Sequence, residues 1–355
     1  MRYYILAGVL VILLGGYTAY WFTLATATEA GIEDWREAAR GDGMVLRHRG
    51  VSVGGYPFRL EVTLEAPALT YAAPDGVTTL SAAETVAVAM PWRPNHILAR
   101  SNGPLRIDWA PPGAAALVTA TANEAEASLY LGDDGQPLRG ALDLHAIAGD
   151  GPAGAFSAAR AQLHLRRARQ AGATADPAAG ATAESPAPDD GVPASYDAAL
   201  QVDLLQLPEG AAPPELGREI ETLDLVATFR GAWPPGPPPE ALAAWRAAGG
   251  VVDVTDLKLV WGPASLASEG SLTVDEEMRP LGAFTVRLGG YEALLDLIAQ
   301  ARRIDGTQIA LLKLLLGSMA REDAQGRSTV QFPVSAQDGR LFFGPVGLFS
   351  LPPVL

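Results

Sequence analysis

The residues whose types could do chemistry are four histidines and a few pairs of neighbouring carboxylates. A neutral imidazole binds a metal or moves a proton, and paired carboxylates hold a cation or divide acid and base roles. His48, His96, His145 and His164 are far apart in sequence, and none belongs to an H-E-x-x-H or H-x-x-H pair that would suit zinc. His145 and His164 fall in alternating segments and are expected on sheet faces. Asp133/Asp134, Asp189/Asp190 and Glu276/Glu277 lie in turn-like stretches. Their expected role is to keep loop tips soluble, because they lack the ligand spacing of a calcium loop. There is no G-x-S-x-G elbow and no phosphate-binding G-x-x-x-x-G-K-[ST] loop. The chain therefore reads as non-catalytic, with no cofactor and no metal.

Binding is the chemistry that is left. Pro91-Trp92-Arg93-Pro94-Asn95-His96 sets two prolines around an arginine beside a tryptophan. One reading is a rigid loop presenting Trp92 and Arg93 to lipid or a partner. The blander one is a corner between strands, with Trp92 packed down and Arg93 stacked on it. Gly54-Gly55-Tyr56-Pro57-Phe58-Arg59 suggests a bulge that bends a sheet at the start of a strand. Residues 308–319 (QIALLKLLLGSM) are apolar nearly all round. At about a dozen residues the segment is too short to cross a bilayer, so it is expected as a helix packed inside a sheet. Leu311, Leu312, Leu315 and Leu316 would then line an apolar groove.

These surfaces need a location, and the N-terminus supplies one. An uncharged run begins at Tyr3 and ends at Leu24, 22 residues against the ~20 that cross ~30 Å of hydrocarbon as a helix. Tyr17, Tyr20, Trp21 and Phe22 gather at its far end, where amphipathic rings favour the headgroup layer. Arg2 holds the N-terminus on the cytoplasmic side, which places the rest of the chain across the membrane. The rival reading is a cleaved signal peptide ending at the small-residue pattern Ala25-Thr26-Ala27. Both put the domain outside the cytoplasm. The expected location is a bacterial inner membrane, crossed once, with the C-terminal domain in the periplasm.

Composition narrows the partners. The 355 residues carry a formal charge of -14 with a pI near 4.7, which excludes the basic footprint of a nucleic-acid binder. It also argues against broad adhesion to anionic headgroups. There is no cysteine, hence no disulfide and no thiolate metal site. Only 19% of residues are charged and 48% are hydrophobic, a lean polar surface that leaves room for apolar area not covered by water.

The pattern along the chain predicts the architecture. Residues 28–40 read as a short helix that Thr28 can cap, with Ile32, Trp35 and Ala39 on one face; it either continues from the membrane helix or packs under the sheet that follows. From Val45 the period is two: Phe58, Leu60, Val62 and Leu64 alternate with charged or polar neighbours. Further strands are expected at 78–90, 105–110, 117–121, 126–131, 138–148, 155–167, 196–207, 223–230, 251–261, 265–274 and 281–288. Turn residues separate them, which favours antiparallel hairpins over βαβ units. Residues 170–194 are low-complexity and are expected to be disordered. Residues 240–248 read as a helix, and 291–320 as a helical hairpin packed on the sheet.

Residues 126–144 and 269–286 run in the same order: strand, acidic turn, Pro-Leu, small residue, strand. Ser128-Leu129 matches Ser271-Leu272, and Pro137-Leu138 matches Pro280-Leu281. The readings are a duplication or two hairpins that share turn chemistry. The expected organisation is an anchor (1–27), a linker helix (28–42), a first β-rich half (43–169), the loop (170–194) and a second β-rich half (195–355). The fold class is mainly β, a β-rich α+β chain. A transmembrane helix leads into a long curved antiparallel sheet, a half-pipe or open barrel, with a few helices.

GGYPFRLEVTLEAPAL, PWRPNHIL and the closing DGRLFFGPVGLFSLPPVL resemble the alphaproteobacterial family catalogued as domain of unknown function 2125. The resemblance covers nearly the whole chain except the low-complexity stretch. More distantly, the hairpins and the final apolar-Gly-Pro-apolar turn look like AsmA-like and YdgA-like envelope proteins. That resemblance implies one N-terminal anchor and long antiparallel sheets with an apolar groove, and some such proteins are implicated in moving phospholipid between membranes. The expected function is to bind a phospholipid, acyl chain or other apolar ligand at the inner membrane, in envelope lipid homeostasis or transport. The alternative is a structural or assembly factor acting through an envelope protein partner.

Overall fold

A computed structural model of the chain describes residues 2–73, 76–112, 117–132, 135–168, 195–234, 238–291, 310, 314, 316–318, 320–322, 328–344 and 346–354. The fold is mainly β: a long N-terminal helix is followed by a large open antiparallel sheet that is not closed into a barrel. The chain divides into two compact units, Met1–Ala161 and Gln162–Leu355.

The first unit begins with α1 (Arg2–Ala38), continued by a 3-10 turn (Ala39–Asp42). Residues 28–38 continue from the preceding helix without a break, one of the two arrangements the sequence allows, so the expected cap at Thr28 is corrected. The helix runs straight through that position, so the Thr28 hydroxyl turns back and donates to the Leu24 carbonyl at 2.8 Å. The turn stops at Gly43, whose left-handed backbone (φ 75°) closes onto the carbonyls of Ala39 and Arg40.

Ten strands follow: β1 (Met44–Arg47), β2 (Gly50–Gly54), β3 (Leu60–Glu65), β4 (Ala68–Ala73), β5 (Gly76–Ser81), β6 (Glu84–Met90), β7 (Arg93–Asn102), β8 (Leu105–Ala110), β9 (Val118–Leu131) and β10 (Pro137–Asp150). They form a fork. One arm is β2-β3-β6-β7 and reaches β9 at residues 126–130. The other is β1-β4-β5-β8 and reaches β9 at residues 118–122. β9 and β10 pair along nearly their whole length and carry both arms. Between the arms the alternation slips by one residue. Ala125 and Ala122 both point into the same core with Leu144, and Ala146 takes a left-handed φ of 49° at the slip. That slip is why the sequence reads β9 as two strands. Conversely, the expected strand 78–90 is two, because Ala82 and Ala83 turn between β5 and β6.

β11 (Phe156–Arg167) crosses the division between the units. The second unit is a meander. β12 (Ser195–Gln206), β13 (Glu219–Arg230), β14 (Val251–Trp261), β15 (Ala264–Val274) and β16 (Pro280–Gly289) pair in sequence order. β17 (Arg321–Glu322) and β16 both pair with β18 (Ser328–Gln337), which leads to β19 (Arg340–Phe343) and β20 (Val346–Ser350). α2 (Pro238–Ala247) stands between β13 and β14, with Pro at its start and Gly249 (φ 79°) after its end. The expected loop 170–194 and most of the expected hairpin 291–320 lie outside the described residues.

The two similar hairpins share one turn. In the first, Gly132 N–H donates to Gln136 O at 2.8 Å and Gly135 N–H to Gly132 O at 3.0 Å. In the second, Asp275 N–H donates to Arg279 O at 2.9 Å and Met278 N–H to Asp275 O at 3.1 Å. The residue before the last turn position is left-handed in both, Gly135 at φ 75° and Met278 at φ 59°. A proline then opens the returning strand in each, since its fixed φ suits the start of a strand.

Candidate functional site

Two apolar surfaces stand out, one in each unit. In the first unit the second half of α1 lies against the turn 55–59 and the corner at Pro91. Trp21 is 3% exposed and packs with Ala25 on Leu60, flanked by Leu24 and Val53. Its indole N–H donates to Arg59 O at 3.1 Å. Tyr20 donates its hydroxyl proton to Pro91 O at 2.9 Å, and Tyr17 does the same to Pro57 O. The Thr18 and Tyr56 hydroxyls are 2.7 Å apart, and Phe22 stacks on Tyr56. Trp21 therefore faces protein, whereas the sequence reading set it with Tyr17 and Tyr20 in the headgroup layer.

Gly54 ends β2, paired with Glu61, and Gly55 starts a tight turn; the β2–β3 register shows no bulge there. Gly55 has φ 93°, and a Cβ there would come within 2.7 Å of Arg59 O. The turn contains a cis Tyr56–Pro57 bond and ends where Arg59 N–H meets Gly55 O at 3.1 Å. Phe58, expected on the buried face of a strand, sits in this turn and is 74% exposed. The 91–96 segment is a corner, as the blander reading had it, but Trp92 does not pack down: it is 61% exposed, and Arg93 beside it is exposed too. Arg93 opens β7, a strand the sequence reading lacked. Pro94 hides that strand from a sequence pattern, and it is accommodated because the β6–β7 register skips between Met90 and Ala89.

The second surface is a face of the second unit's sheet. The pairing brings Val202, Leu223, Leu259, Leu266, Leu288 and Val330 into one line across six strands. The next line is Leu200, Leu225, Leu257, Ser268, Val286 and Phe332. On the other face one line reads Gln201, Asp224, Lys258, Ala267, Arg287 and Gln331. Alternation along these central stretches makes this part of the sheet amphipathic, although the register breaks beside Thr255 and Leu204. α2 covers one end of the apolar face with Leu242 and Trp245, against Val252, Val274 and Met278. Trp245 donates its indole N–H to Arg230 O at 2.9 Å. Leu316 and Tyr291 cover the other end, against Val330 and Phe332. Leu200, Leu225 and Leu257, on β12, β13 and β14, are half-buried and belong to neither of these two clusters. Leu316 thus packs into a core; Leu311, Leu312 and Leu315 lie outside the described residues.

The polar groups serve the scaffold. Asp143 accepts from Arg160 at 2.9 Å and lies 3.1 Å from His145 Nε2, on the solvent face of the first unit. His48 Nε2, just after β1, is 3.4 Å from the Glu33 carboxylate on α1. His96 meets the Ser128 hydroxyl at 3.3 Å, and His164 is exposed. Among the described residues no three His, Asp or Glu side chains cluster as metal ligands. In the acidic turn, Asp275 accepts from the backbone N–H groups of Glu277 and Arg279 and from the Arg279 guanidinium at 2.7 Å. Partial desolvation alone would raise the Asp275 carboxyl. The Arg279 hydrogen bonds and charge, with the Glu277 N–H, outweigh it and hold the group below the ordinary aspartate range. Asp133, Asp134, Asp189 and Asp190 lie outside the described residues.

Residues 21–352 match the model of a family described as uncharacterized proteins conserved in bacteria, DUF2125. The chain belongs to that family. The DUF2125 match begins at Trp21, inside α1, so it takes in the part of the helix that packs on Leu60. Comparison with curated proteins and with solved structures gave no match. α1 is long and apolar enough to cross a membrane, a test that a signal sequence also passes.

Proposed function

We propose that this DUF2125 protein is a non-catalytic, membrane-anchored periplasmic protein that holds a phospholipid or acyl chain on the apolar face of its second unit, in the service of envelope lipid homeostasis or transport. The observation that carries the reading is the face spanning β12 to β18, apolar along its lines except at Ser268, with half-buried Leu200, Leu225 and Leu257 outside the clusters at its two covers. Each CH₂ that an acyl chain moves from water onto such a face contributes ~0.8 kcal/mol, so no polar chemistry is required. The anchor is uncleaved in this reading. Cutting after Ala27 would remove Trp21 and Ala25 from the core of the first unit, and the family match includes both residues.

Native mass spectrometry of the full chain tests this. After detergent exchange the wild type should retain lipid at a fixed stoichiometry. Leu225→Asp and Leu257→Asp, on the half-buried line, should lose it while keeping the wild-type circular dichroism. Equal lipid retention by the folded variants would overturn the sheet-face site, because lipid held by α1 alone is indifferent to both residues.

A further inference from the structure

We propose that the first unit does not stand clear of the bilayer on a stalk: its turn 55–59 and corner 90–93 are sunk into the headgroup layer, with Phe58 and Trp92 inserted toward the acyl chains. The inference rests on α1 spanning the membrane and goes on to fix how the unit sits on it.

The length of free helix is the first argument. Residues 3–16 precede the first contact with the sheet and rise about 21 Å at 1.5 Å per residue. The hydrocarbon core is ~30 Å thick. The missing ~9 Å takes the helix to the level of Phe22, past Tyr17, Tyr20 and Trp21. These are the residues that hold Pro57, Pro91 and Arg59. A spanning helix therefore carries the turn and the corner down with it to the boundary of the hydrocarbon.

The polar groups at that level are the second argument. In lipid every donor and acceptor must find a partner within the protein. Tyr17, Tyr20 and Trp21 are each bonded to a backbone carbonyl of the unit. Thr18 and Thr23, on either side of that level, each return their hydroxyl to the carbonyl four residues back, at 2.8 and 2.9 Å.

The outward surface is the third. Phe58 and Trp92 are 74% and 61% exposed, on the two segments that grip the helix. Large aromatic side chains turned to water at that place lose the burial that interfacial lipid gives them, and Trp favours that layer. Arg93, adjacent and exposed, is placed for a headgroup phosphate.

The chain has no cysteine, so single labels are clean. Phe58→Cys, Trp92→Cys, Val11→Cys and Asn102→Cys, each carrying an environment-sensitive fluorophore, are placed in full-length protein in phosphatidylcholine–phosphatidylglycerol vesicles. Asn102 ends β7, about 30 Å of strand away from Arg93 at ~3.3 Å per residue. Positions 58 and 92 should be blue-shifted, quenched by lipids spin-labelled near the headgroup, and several-fold less open to iodide than position 102. If 58 and 92 match 102 while 11 is quenched from the acyl region, α1 spans and the collar stands clear, which overturns the inference alone. Shielding of 58 and 92 from both quenchers would mean a protein partner and also overturns it. If position 11 is open to iodide, the anchor itself fails.

Discussion

Each unit lays a helix on its sheet by the same device, and the two differ in which partner is in excess. In the first unit Trp21 packs with Leu60 and donates to Arg59 O; in the second, Trp245 packs with Val274 and donates to Arg230 O. α1 is far longer than its sheet contact, so helix is left over, and that surplus is apolar. α2 is far shorter than the sheet face it covers, so sheet is left over, also apolar. Under the proposed function a bilayer would take up the surplus of helix and a ligand the surplus of sheet, so that the same local joint would serve two kinds of lipid contact.

The comparison breaks most sharply at the two indoles. Trp21→Ala and Trp245→Ala should each cost about 3–5 kcal/mol of local stability. Hydrogen exchange followed by mass spectrometry should show β2 and β3 opening in the first variant, with β13 and β14 unchanged, and the reverse in the second. Opening of both units by either variant would mean that the joints are not independent.

A step smaller is Gly250→Ala. A Cβ there would stand 2.2 Å from the Trp245 ring and 2.6 Å from its carbonyl oxygen. Overpacking of this kind costs about 1–3 kcal/mol, read as a lower urea midpoint with lipid retention impaired because α2 is displaced. Gly55→Ala is the counterpart in the first unit. With φ 93° and Arg59 O at 2.7 Å it should loosen the grip on Trp21, measured as faster proteolysis after α1, by somewhat more than ~1 kcal/mol.

The smallest effect is at the acidic turn. The Asp275 carboxyl is depressed on folding, so its contribution is fully present above the ordinary aspartate pKa of about 3.9 and fades as pH falls through the lower folded value. Asp275→Asn should show a lower urea midpoint than wild type by a constant amount from neutral pH down to about pH 4, with the gap closing below. A gap unchanged at lower pH would show that the turn does not depend on the charge.

What the sequence makes legible follows from period two together with turn signals. The observed bounds of β14 and β8 match the expected ones to the residue: β8 alternates cleanly, and β14 is delimited by Gly250 and Gly262 although its register breaks at Thr255–Asp256. β7 was missed, since Pro94 argues against a strand unless the partner's register skips beside it. The amphipathic sheet face follows from the same alternation, but the alignment of six strands into apolar lines depends on register, which no single strand encodes. The docking of α1 was hidden for another reason. Trp21 beside Tyr17 and Tyr20 has the composition of a membrane belt, and its burial appears only when Leu60 is brought against it. Trp245 carried no periodic signal at all on so short a helix.

Met278 holds a left-handed backbone in the second acidic turn, where its counterpart in the first is Gly135. Its side chain packs with Leu242, Trp245 and Val274, and its carbonyl accepts the N–H of Val354 at 2.9 Å, almost at the end of the chain. Mechanically, this turn is a latch. The tail is hooked to the same residue that wedges α2 against the sheet, so tension applied to the C-terminus is delivered to the cover of the apolar face before it reaches any strand.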